Sequence, residues 1–393
     1  MGRILIFTGK GGVGKTSMAA AHARSSAREG KKTLLVSTDM AHNLGDIFDV
    51  SLERCEKEVA PDLFVLELDP IFIMEHEYQN MMQAIVKMMI SERFQKEDMD
   101  TTLMFPGIEE LFSLMKILDV YESEVYERII VDCAPTGETL SLLKFPELFT
   151  WYIEKLFPIG KVAVRVLAPI SKRAFKVELP DRKAMNDIEK LYTKLAQLQD
   201  LLRNRQVTSI RLVTIPEKMV VEETKRNYMY MNLYNYLVDG IYINRILSKD
   251  MEETFFEEWV KIQASYVEEL EDMFSGRPLY YVPWFDTDLN GLNGIDQIVD
   301  QVLAGKDIFA VREDIKQERY ENNAQGYLLY VSVPYAKKEE IDLYLSGTDV
   351  IIKIGNFKRN IPLPDTLRAY EITDAKLEDG ELRIQFEQEG DNE

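Results

Sequence analysis

Cysteine, histidine and net positive charge are all scarce in this chain. Its 393 residues include two cysteines and three histidines, and the formal net charge is −20 at pH 7. Cys55 and Cys133 lie far apart and form no C-x-x-C pair, which argues against a disulfide framework and a thiolate zinc site. So acidic a chain also lacks the basic footprint of nucleic-acid-binding proteins. We therefore expect no structural zinc and no nucleic-acid partner.

Long uncharged runs are missing as well. No stretch of about 18 residues is free of charge, so we expect no integral membrane span. The chain enters a strand-like run within its first residues, and we expect no signal peptide before it. These features favour a reducing compartment, the cytoplasm, or the plastid stroma if a removed transit peptide is missing from this sequence. Apolar residues make up 46 % and charged residues 29 %, as in ordinary soluble globular proteins.

The strongest local motif is GKGGVGKTS at residues 9–17. An apolar run precedes it and an alanine-rich helical pattern follows it, so the order is strand, glycine loop, helix. Backbone amides of such a loop cradle a polyphosphate at the positive end of the helix, Lys15 reaches the β/γ-phosphates, and Thr16 ligates Mg²⁺. The alternative is a glycine-rich turn that binds nothing. The residues predicted to hold ATP phosphates are Gly9, Gly11, Gly12, Val13, Gly14, Lys15, Thr16 and Ser17.

A second lysine, Lys10, distinguishes this loop from a simple phosphate loop. The form K-G-G-x-G-K-[ST] resembles the deviant Walker A motif of dimeric ATPases in the ParA, MinD, nitrogenase iron-protein and ArsA groups. In those groups the first lysine crosses the dimer interface to the partner's nucleotide. Like an arginine finger, a cation supplied in trans offsets charge on the transferring phosphoryl group. The alternative is a solvated loop lysine.

Apolar, strand-like runs alternate with helical patterns through the first three quarters of the chain. This alternation predicts an α/β fold: the doubly wound, mostly parallel sheet of a P-loop NTPase, with a helical insertion and with nucleotide at the carboxyl ends of the strands. We assign residues 1–303 to this domain. The runs are residues 32–39, 63–70, 128–135, 210–217, 238–247 and 278–285.

The C-terminal part of the chain has a different pattern. Residues 304–324 are charged and polar and are predicted to be a linker. Residues 325–390 alternate apolar and polar positions between turn residues, which predicts a small all-β sandwich. GYLLYVSVPYAKKEEIDLYLSGTDVIIKIGNFKRNIPLP in this region resembles the α-crystallin, or small heat-shock, domain. We interpret it as an interaction or packing module without a catalytic constellation.

Two acids follow predicted strands at the edge where nucleotide would bind. Asp39 has the place of a carboxylate that orients the attacking water, and it is predicted to be catalytic with Lys10 and Lys15. Asp132 is placed like a Walker B acid, which holds Mg²⁺ through water. The alternative for each acid is to cap the following helix.

Four segments in order resemble the ArsA family: GKGGVGKTS, STDMAHNLGDIF, PGIEEL and DCAPTGETLSLL. That family contains the arsenite-pump ATPase and the guided-entry ATPase that carries tail-anchored membrane proteins. The resemblance implies a homodimer, an adenine-reading Asn244, and an adenine-side loop at Pro283 and Trp284. Asn244 has the alternative role of ending its strand. Met40 and Glu138 depart from the family pattern, and the cysteine clusters of arsenite pumps and of zinc-bridged carriers are absent.

A methionine-rich stretch is the candidate client site. Residues 71–94 place apolar side chains at helical spacing, and methionine suits grooves that accept varied apolar partners. An ordinary core face is the alternative. Residues 151–177 are apolar but basic, like an amphipathic insertion. The resemblance implies client-binding helices at about 71–125 and 151–205. The predicted groove residues are Met81, Met82, Ile85, Met88 and Met89.

The leading hypothesis is a Mg-ATP-dependent homodimeric ATPase whose cycle opens and closes an apolar, helix-lined groove around a hydrophobic client. A nucleotide-insensitive, holdase-type binding protein is the alternative from another class. A metalloid-efflux subunit is disfavoured by the two cysteines. A positioning ATPase of the ParA/MinD type needs DNA affinity or a terminal membrane helix, and the acidic charge and β-rich C-terminus argue against both.

Overall fold

The computed structural model describes residues 2–39, 43–79, 108–134, 182–248, 250, 255–312, 318–347, 349–367 and 369–388. The predicted groove residues and the two departures, Met40 and Glu138, lie outside these ranges, as does the basic stretch 151–177. No helix among the described residues is both long enough and apolar enough to cross a bilayer.

An eight-stranded sheet forms the centre of the N-terminal part. Its strands are β1 (Arg3–Thr8), β2 (Thr33–Ser37), β3 (Lys57–Ala60), β4 (Leu63–Glu67), β5 (Arg128–Asp132), β6 (Thr208–Thr214), β7 (Val238–Ile246) and β8 (Leu279–Pro283). Their order is β3-β4-β2-β5-β1-β6-β7-β8, and every pairing except β3 with β4 is parallel. Strands β1, β2 and β6 are buried at every residue, because helices cover both faces of a parallel sheet. The predicted doubly wound, mostly parallel fold is confirmed.

Helices pack on both faces of the sheet. They are α1 (Lys15–Arg28), α2 (Asn43–Phe48), α3 (Ile108–Glu122), α4 (Arg182–Arg203), α5 (Lys218–Leu233), α6 (Glu257–Met273) and α7 (Gly291–Ile298). The alanines of α1 are buried against the sheet and α7 in one hydrophobic core. Helices α3, α4 and α5 contribute to a second core, which continues into the C-terminal domain. Because alanine is small, α1 lies close to the sheet and brings its first turn to the end of β1.

Three segments of the predicted helical regions meet at one polar cluster. The turn Pro70–Phe72 and the π-helix Ile73–Glu77 lead to Tyr78, whose hydroxyl donates a hydrogen bond to Asp119 of α3. Lys194 of α4 also donates to Asp119, and its Nζ lies 3.2 Å from the Tyr78 hydroxyl. Burial and the neighbouring carboxylate raise the pKa of Tyr78 well above its ordinary value. This cluster joins described parts of the two predicted client-binding regions, about 71–125 and 151–205.

A buried ion cluster joins strands β1, β6 and β7. Asp239 at the start of β7 is fully buried and lies 3.2 Å from the Arg3 guanidinium and 3.3 Å from that of Arg211. Arg211 donates to the carbonyl of Ile308 at 2.8 Å, and Arg3 donates to that of Ala310 at 3.4 Å. Three strands are thereby tied to the segment that leaves the ATPase domain.

The C-terminal region is the predicted all-β domain. One sheet has the order β14-β15-β10-β9 and the other β11-β12-β13, with antiparallel pairing throughout. The first strand starts at Glu318, inside the stretch predicted to be a linker. The strands are β9 (Glu318–Asn323), β10 (Gly326–Ser332), β11 (Ile341–Ser346), β12 (Asp349–Ile354), β13 (Phe357–Pro362), β14 (Tyr370–Glu378) and β15 (Glu381–Gln388).

The sandwich packs against α5 and α6 of the ATPase domain. The rings of Tyr230 and Phe357 have centroids 3.6 Å apart, and the Tyr234 hydroxyl donates to the Lys358 carbonyl at 2.9 Å. Arg359, 3 % exposed, donates to the carbonyl of Leu233. These contacts bury polar and aromatic groups from both domains, so the sandwich is docked through a defined interface.

Candidate nucleotide site

The loop between β1 and α1 has the backbone conformation that its glycines permit. Gly12 and Gly14 have φ of 78° and 96°, in the left-handed region that L side chains rarely adopt. A Cβ on Gly14 would also lie 2.4 Å from Nδ2 of Asn244. Helix α1 begins directly after this turn at Lys15, so its free amides and positive end face the loop. This is the geometry of an anion-binding loop.

The two lysines of the loop occupy different environments. Lys15 is 7 % exposed, and its Nζ donates to the Lys10 carbonyl at 3.3 Å, so its charge lies over the loop. Lys10 is on the rim with its side chain one-third exposed, and its Nζ lies 3.8 Å from Glu223 of α5. Gly11 and Gly12 are exposed beside it. Lys15 therefore lies over the loop, whereas the Lys10 side chain lies at its rim beside α5.

Asp132 lies at the end of β5, in register with Phe7 of β1 and Ser37 of β2. Its side chain is hydrogen-bonded to Thr16. Burial raises its pKa to about 7, against the lowering effects of Thr16 and nearby Lys15. Its Oδ1 is buried without a hydrogen-bond partner.

This donor set fits Mg²⁺. A buried carboxylate oxygen without a protein partner needs a cation or water, and Mg²⁺ prefers oxygen ligands with several retained waters. The Thr16 hydroxyl provides a second oxygen at the same place.

Asp39 follows β2 at the same edge of the sheet. It is half-buried, and its backbone N–H donates to Ser37 Oγ at 3.1 Å. The charge of Asp39 contributes to the raised pKa of Asp132, so the two carboxylates are close enough to interact. The structure therefore places Asp39 beside the phosphate loop.

Glu67 is a functional candidate that the sequence pattern did not reveal. It ends β4, and its Oε1 accepts hydrogen bonds from the backbone amides of Leu44 at 2.9 Å and Gly45 at 3.2 Å. These amides belong to the first turn of α2, which follows Asp39 in the chain. Glu67 therefore anchors the helix that follows Asp39. It lies in an otherwise apolar strand run, and that isolated charge is the signal that marks it.

Asn244, near the end of β7, reaches the phosphate loop. Its Nδ2 donates to the Val13 carbonyl at 2.8 Å, and its Oδ1 accepts from the Arg245 amide at 2.8 Å. Arg245 has a φ of 59° and donates to the Gly12 carbonyl at 2.9 Å. Two adjacent residues thus hold two loop carbonyls. Arg245 was not predicted, and a positive φ cannot be read from its residue type.

The predicted adenine-side loop lies beside Asn244. Pro283 pairs with Ile246 across β8 and β7, and the Trp284 amide donates to the Ile246 carbonyl at 2.9 Å. Both side chains are exposed. The carboxyl ends of β1, β2, β5, β7 and β8 therefore bring together the predicted phosphate, metal and adenine residues.

A buried histidine joins α1 to β7. His22 Nδ1 lies 2.8 Å from the Met18 carbonyl, and Nε2 lies 2.6 Å from the Tyr242 hydroxyl. Burial, with the nearby Arg211 charge, lowers the pKa of His22 to about 3. The ring is therefore neutral, donates to Met18 through Nδ1 and accepts from Tyr242 at Nε2. The hydrogen bond between His22 and Tyr242 therefore fixes α1 to β7, and Tyr242 lies two residues before Asn244 in that strand.

Comparison with known proteins agrees with this geometry. The family model described as anion-transporting ATPase, ArsA_ATPase, matches residues 2–304, and the HSP20-like domain found in ArsA matches residues 324–386. The chain belongs to the ArsA ATPase family. As a member of this family, it is an ATPase, and its C-terminal sandwich is of the HSP20-like type.

Relatives cover both domains of this ArsA-family ATPase. A protein of Aquifex aeolicus named "Putative arsenical pump-driving ATPase 1" is 32 % identical over 97 % of this chain and 99 % of its own. A protein of Chlorobaculum tepidum named "Putative arsenical pump-driving ATPase" is 30 % identical over 98 % of this chain and 96 % of its own. "ATPase GET3C" of Arabidopsis thaliana is 28 % identical over 75 % of this chain and 80 % of its own. The similarity to the bacterial proteins therefore includes the sandwich.

Proposed function

We propose that this ATPase is a homodimer that uses Mg-ATP hydrolysis to bind and release a hydrophobic client. The observation that carries the proposal is that the two loop lysines have different environments. Lys15 is buried over its own loop, whereas Lys10 lies on the exposed rim and points to α5. A partly exposed loop lysine that does not lie over its own loop can be supplied to the nucleotide of a second copy.

Each site residue has a distinct task in this proposal. The loop amides and Lys15 bind the β- and γ-phosphates, and Thr16 and Asp132 hold Mg²⁺. When bound, Mg²⁺ supplies positive charge to the phosphate oxygens. Asp39 orients the attacking water, and Lys10 of the second copy offsets charge on the transferring group. Asn244 and Arg245 hold the loop carbonyls, so that the amides face the phosphates.

The proposal that this ATPase binds a hydrophobic client rests on the sequence of residues 71–94. Methionines recur at helical spacing in residues 71–94. The flanking segments converge on the cluster of Tyr78, Asp119 and Lys194. Segments that meet at one cluster can move together when the nucleotide site changes shape.

The test measures capture of a fluorescent, single-helix hydrophobic peptide in ADP and in ATP. We expect the amount of captured peptide to differ between ADP and ATP. Asp39→Asn should bind ATP but stall hydrolysis, so we expect this variant to stay in the ATP-bound state of capture. Asp49→Asn is the matched control, since Asp49 is exposed after α2 and asparagine tolerates its φ of 54°. Equal capture in every nucleotide state favours a nucleotide-insensitive holdase. No capture, with ATPase activity intact, removes the apolar helix as client.

Two of the relatives described above are named as putative arsenical pump-driving ATPases, and the thiols of this chain do not favour such a function. Clusters of soft thiolates suit arsenite. In this chain Cys55 is exposed, whereas Cys133 is buried and its backbone amide donates to the Phe7 carbonyl of β1. We expect the ATPase rate to be unchanged by arsenite. Stimulation by arsenite that Cys55→Ser removes would restore the pump hypothesis.

A further inference from the structure

The end of β7 is irregular where it passes the phosphate loop. Its pairing with β8 shifts register between Ile243 and Ile246. Arg245 lies in this bulge with a φ of 59°, in the left-handed region that L side chains rarely adopt. A bulge interrupts the ladder of hydrogen bonds between strands, and a backbone group that loses its ladder partner needs another one. The backbone of the bulge therefore depends on partners from outside the sheet.

Gln263 of α6 supplies two of these partners. Its Nε2 donates to the Arg245 carbonyl at 2.9 Å, and its Oε1 accepts from the Leu247 amide at 2.9 Å. The donor and the acceptor of one amide side chain thus replace the edge of a neighbouring strand, and the two bonds together fix which way the amide group is turned. Gln263 therefore holds the backbone on both sides of Ile246.

The Arg245 side chain continues this connection into the phosphate loop. Its guanidinium donates to the Gly12 carbonyl at 2.9 Å. Because a peptide unit is planar and trans, a fixed Gly12 carbonyl also fixes the Val13 amide, which points the opposite way. A Cβ added to Gly12 would meet nothing within 4 Å in the described part of the chain, so packing does not hold this position there. The hydrogen bond from Arg245 therefore has a direct effect on how the loop amides are aimed.

Helix α6 is itself held in place beyond Gln263. Leu270 is fully buried in the hydrophobic core, and Glu269 pairs with Lys225 of α5. At the end of the helix, the Met273 carbonyl accepts a hydrogen bond from the Tyr335 hydroxyl of the sandwich at 2.9 Å. Gln263 therefore extends from a helix that is packed against the rest of the molecule, and it can hold the bulge against a fixed support.

We infer that Gln263 is a positioning residue for the phosphate loop and that it acts through Arg245. The inference rests on the proposed nucleotide site. Gln263 keeps the bulge in the left-handed conformation from which the Arg245 side chain reaches Gly12. Without the two bonds from Gln263, the bulge can relax, and the loop loses a support that fixes the Val13 amide before a polyphosphate binds.

The test measures equilibrium binding of Mg-ATPγS and of Mg-tripolyphosphate by calorimetry. Tripolyphosphate has no base or ribose, so it reports on the phosphate loop alone. Gln263→Met keeps the length of the side chain but removes its amide, and we expect it to weaken binding of both ligands about fivefold. Ser265→Ala is the matched control on the same helix, since Ser265 is exposed and its hydroxyl donates to the Ile262 carbonyl within α6 at 2.8 Å. It should bind both ligands within about twofold of wild type.

A double-mutant cycle separates this role from a general loss of structure. Arg245→Gly removes the bond to Gly12, and glycine accepts a φ of 59° without strain. Since both substitutions break one connection, Gln263→Met/Arg245→Gly should bind tripolyphosphate within about twofold of Arg245→Gly alone. Losses that multiply in the double variant would show that Gln263 does not act through Arg245, which overturns the inference.

Lys15→Ala distinguishes a failure of the inference from a failure of the proposed site. If Lys15→Ala binds tripolyphosphate like the wild type, the proposed phosphate site is wrong and the inference falls with it. If Lys15→Ala binds weakly while Gln263→Met binds like the wild type, only the inference is overturned. A loss confined to Mg-ATPγS also overturns it, because Gln263 would then act on the base. Gln263→Glu, which keeps the acceptor for the Leu247 amide and loses the donor to the Arg245 carbonyl, gives the same comparison if Gln263→Met is poorly folded.

Discussion

Asn244 shows how one side chain can hold a catalytic loop in place. Both polar atoms of its amide are used within the protein, on the Val13 carbonyl and the Arg245 amide. The close approach leaves no space for a side chain at position 14, where a Cβ would meet Nδ2 at 2.4 Å. Asn244 is therefore a positioning residue for the phosphate loop, and its adenine role stays a prediction.

Gly14→Ala is expected to weaken nucleotide binding at least tenfold, which corresponds to about 1.4 kcal/mol. The new methyl group clashes with Asn244, and a φ of 96° is unfavourable for alanine. Equilibrium titration with a fluorescent ATP analogue checks this. Gly30→Ala is the control, since Gly30 has a φ of 74° but nothing within 4 Å of an added Cβ. It should cost only about 1 kcal/mol of stability and leave affinity unchanged.

His22 predicts a pH dependence of stability. Its pKa is about 3 in the folded protein and about 6.5 in the unfolded chain, so below pH 6.5 the unfolded state binds more protons. The free energy of unfolding should therefore fall as pH decreases from 6.5 toward 3, by up to about 1.4 kcal/mol per pH unit from this group. Urea unfolding at pH 7, 6 and 5 measures the slope. His22→Gln should show a shallower slope, and an unchanged slope would contradict the assignment.

At the scale of elements, a buried ion cluster joins neighbouring strands of the sheet. Hydrogen bonds from the end of β7 to the phosphate loop join the carboxyl ends of the strands. Asp239 lies between Arg3 and Arg211, so one carboxylate joins the beginning of β1 and of β7 to the middle of β6. The same strands end at the nucleotide site. The ion cluster therefore supports the relative positions of the phosphate loop and Asn244 from the far end of the sheet.

Asp239→Ala should destabilise the protein by about 3–5 kcal/mol, because two guanidinium groups remain buried without their carboxylate. Thermal unfolding compared with Asp342→Ala measures this. Asp342 pairs with Lys353 at 3.5 Å on the surface, and removing such an exposed pair costs about 0–1 kcal/mol. Equal effects of the two substitutions would show that the cluster does not stabilise the sheet.

At the scale of the whole molecule, the ATPase domain and sandwich share an interface and a hydrophobic core. Helix α5 contributes Glu223 near Lys10 at one end and Tyr230, Leu233 and Tyr234 to the sandwich at the other. One helix therefore contacts both the loop lysine and the C-terminal domain. The sandwich is part of the packed structure of this ATPase.

Mixing two inactive variants tests whether Lys10 acts in trans. Lys10→Ala retains its own Asp39, and Asp39→Asn retains a lysine for its partner. In a mixed dimer the site of the Lys10→Ala subunit receives the missing cation, so an equal mixture should recover about a quarter of the wild-type rate. Steady-state phosphate release measures it. No recovery, with mixed dimers shown by mass, would place the action of Lys10 within its own subunit.

Much of the fold and of the site followed from local sequence patterns. The phosphate loop, Asp39 and Asp132 lie where strands end, and strand ends of a parallel sheet meet at one edge. Charged residues inside strand runs are the cases whose partners the sequence left open. Arg211, Asp239 and Glu67 sit in apolar stretches that predict strands, yet each has a partner remote in sequence that no spacing reveals.

The sequence by itself determined the strand, loop and helix order, the glycines that the phosphate loop needs, and the all-β C-terminal domain. Periodicity and backbone preference act over a few residues, so a linear pattern records them. Tertiary structure decided the rest: that Arg245 and Asn244 hold the loop carbonyls, that His22 is buried and neutral, and that the sandwich packs on α5. These features depend on contacts between residues distant in the chain, which only the folded sheet brings together.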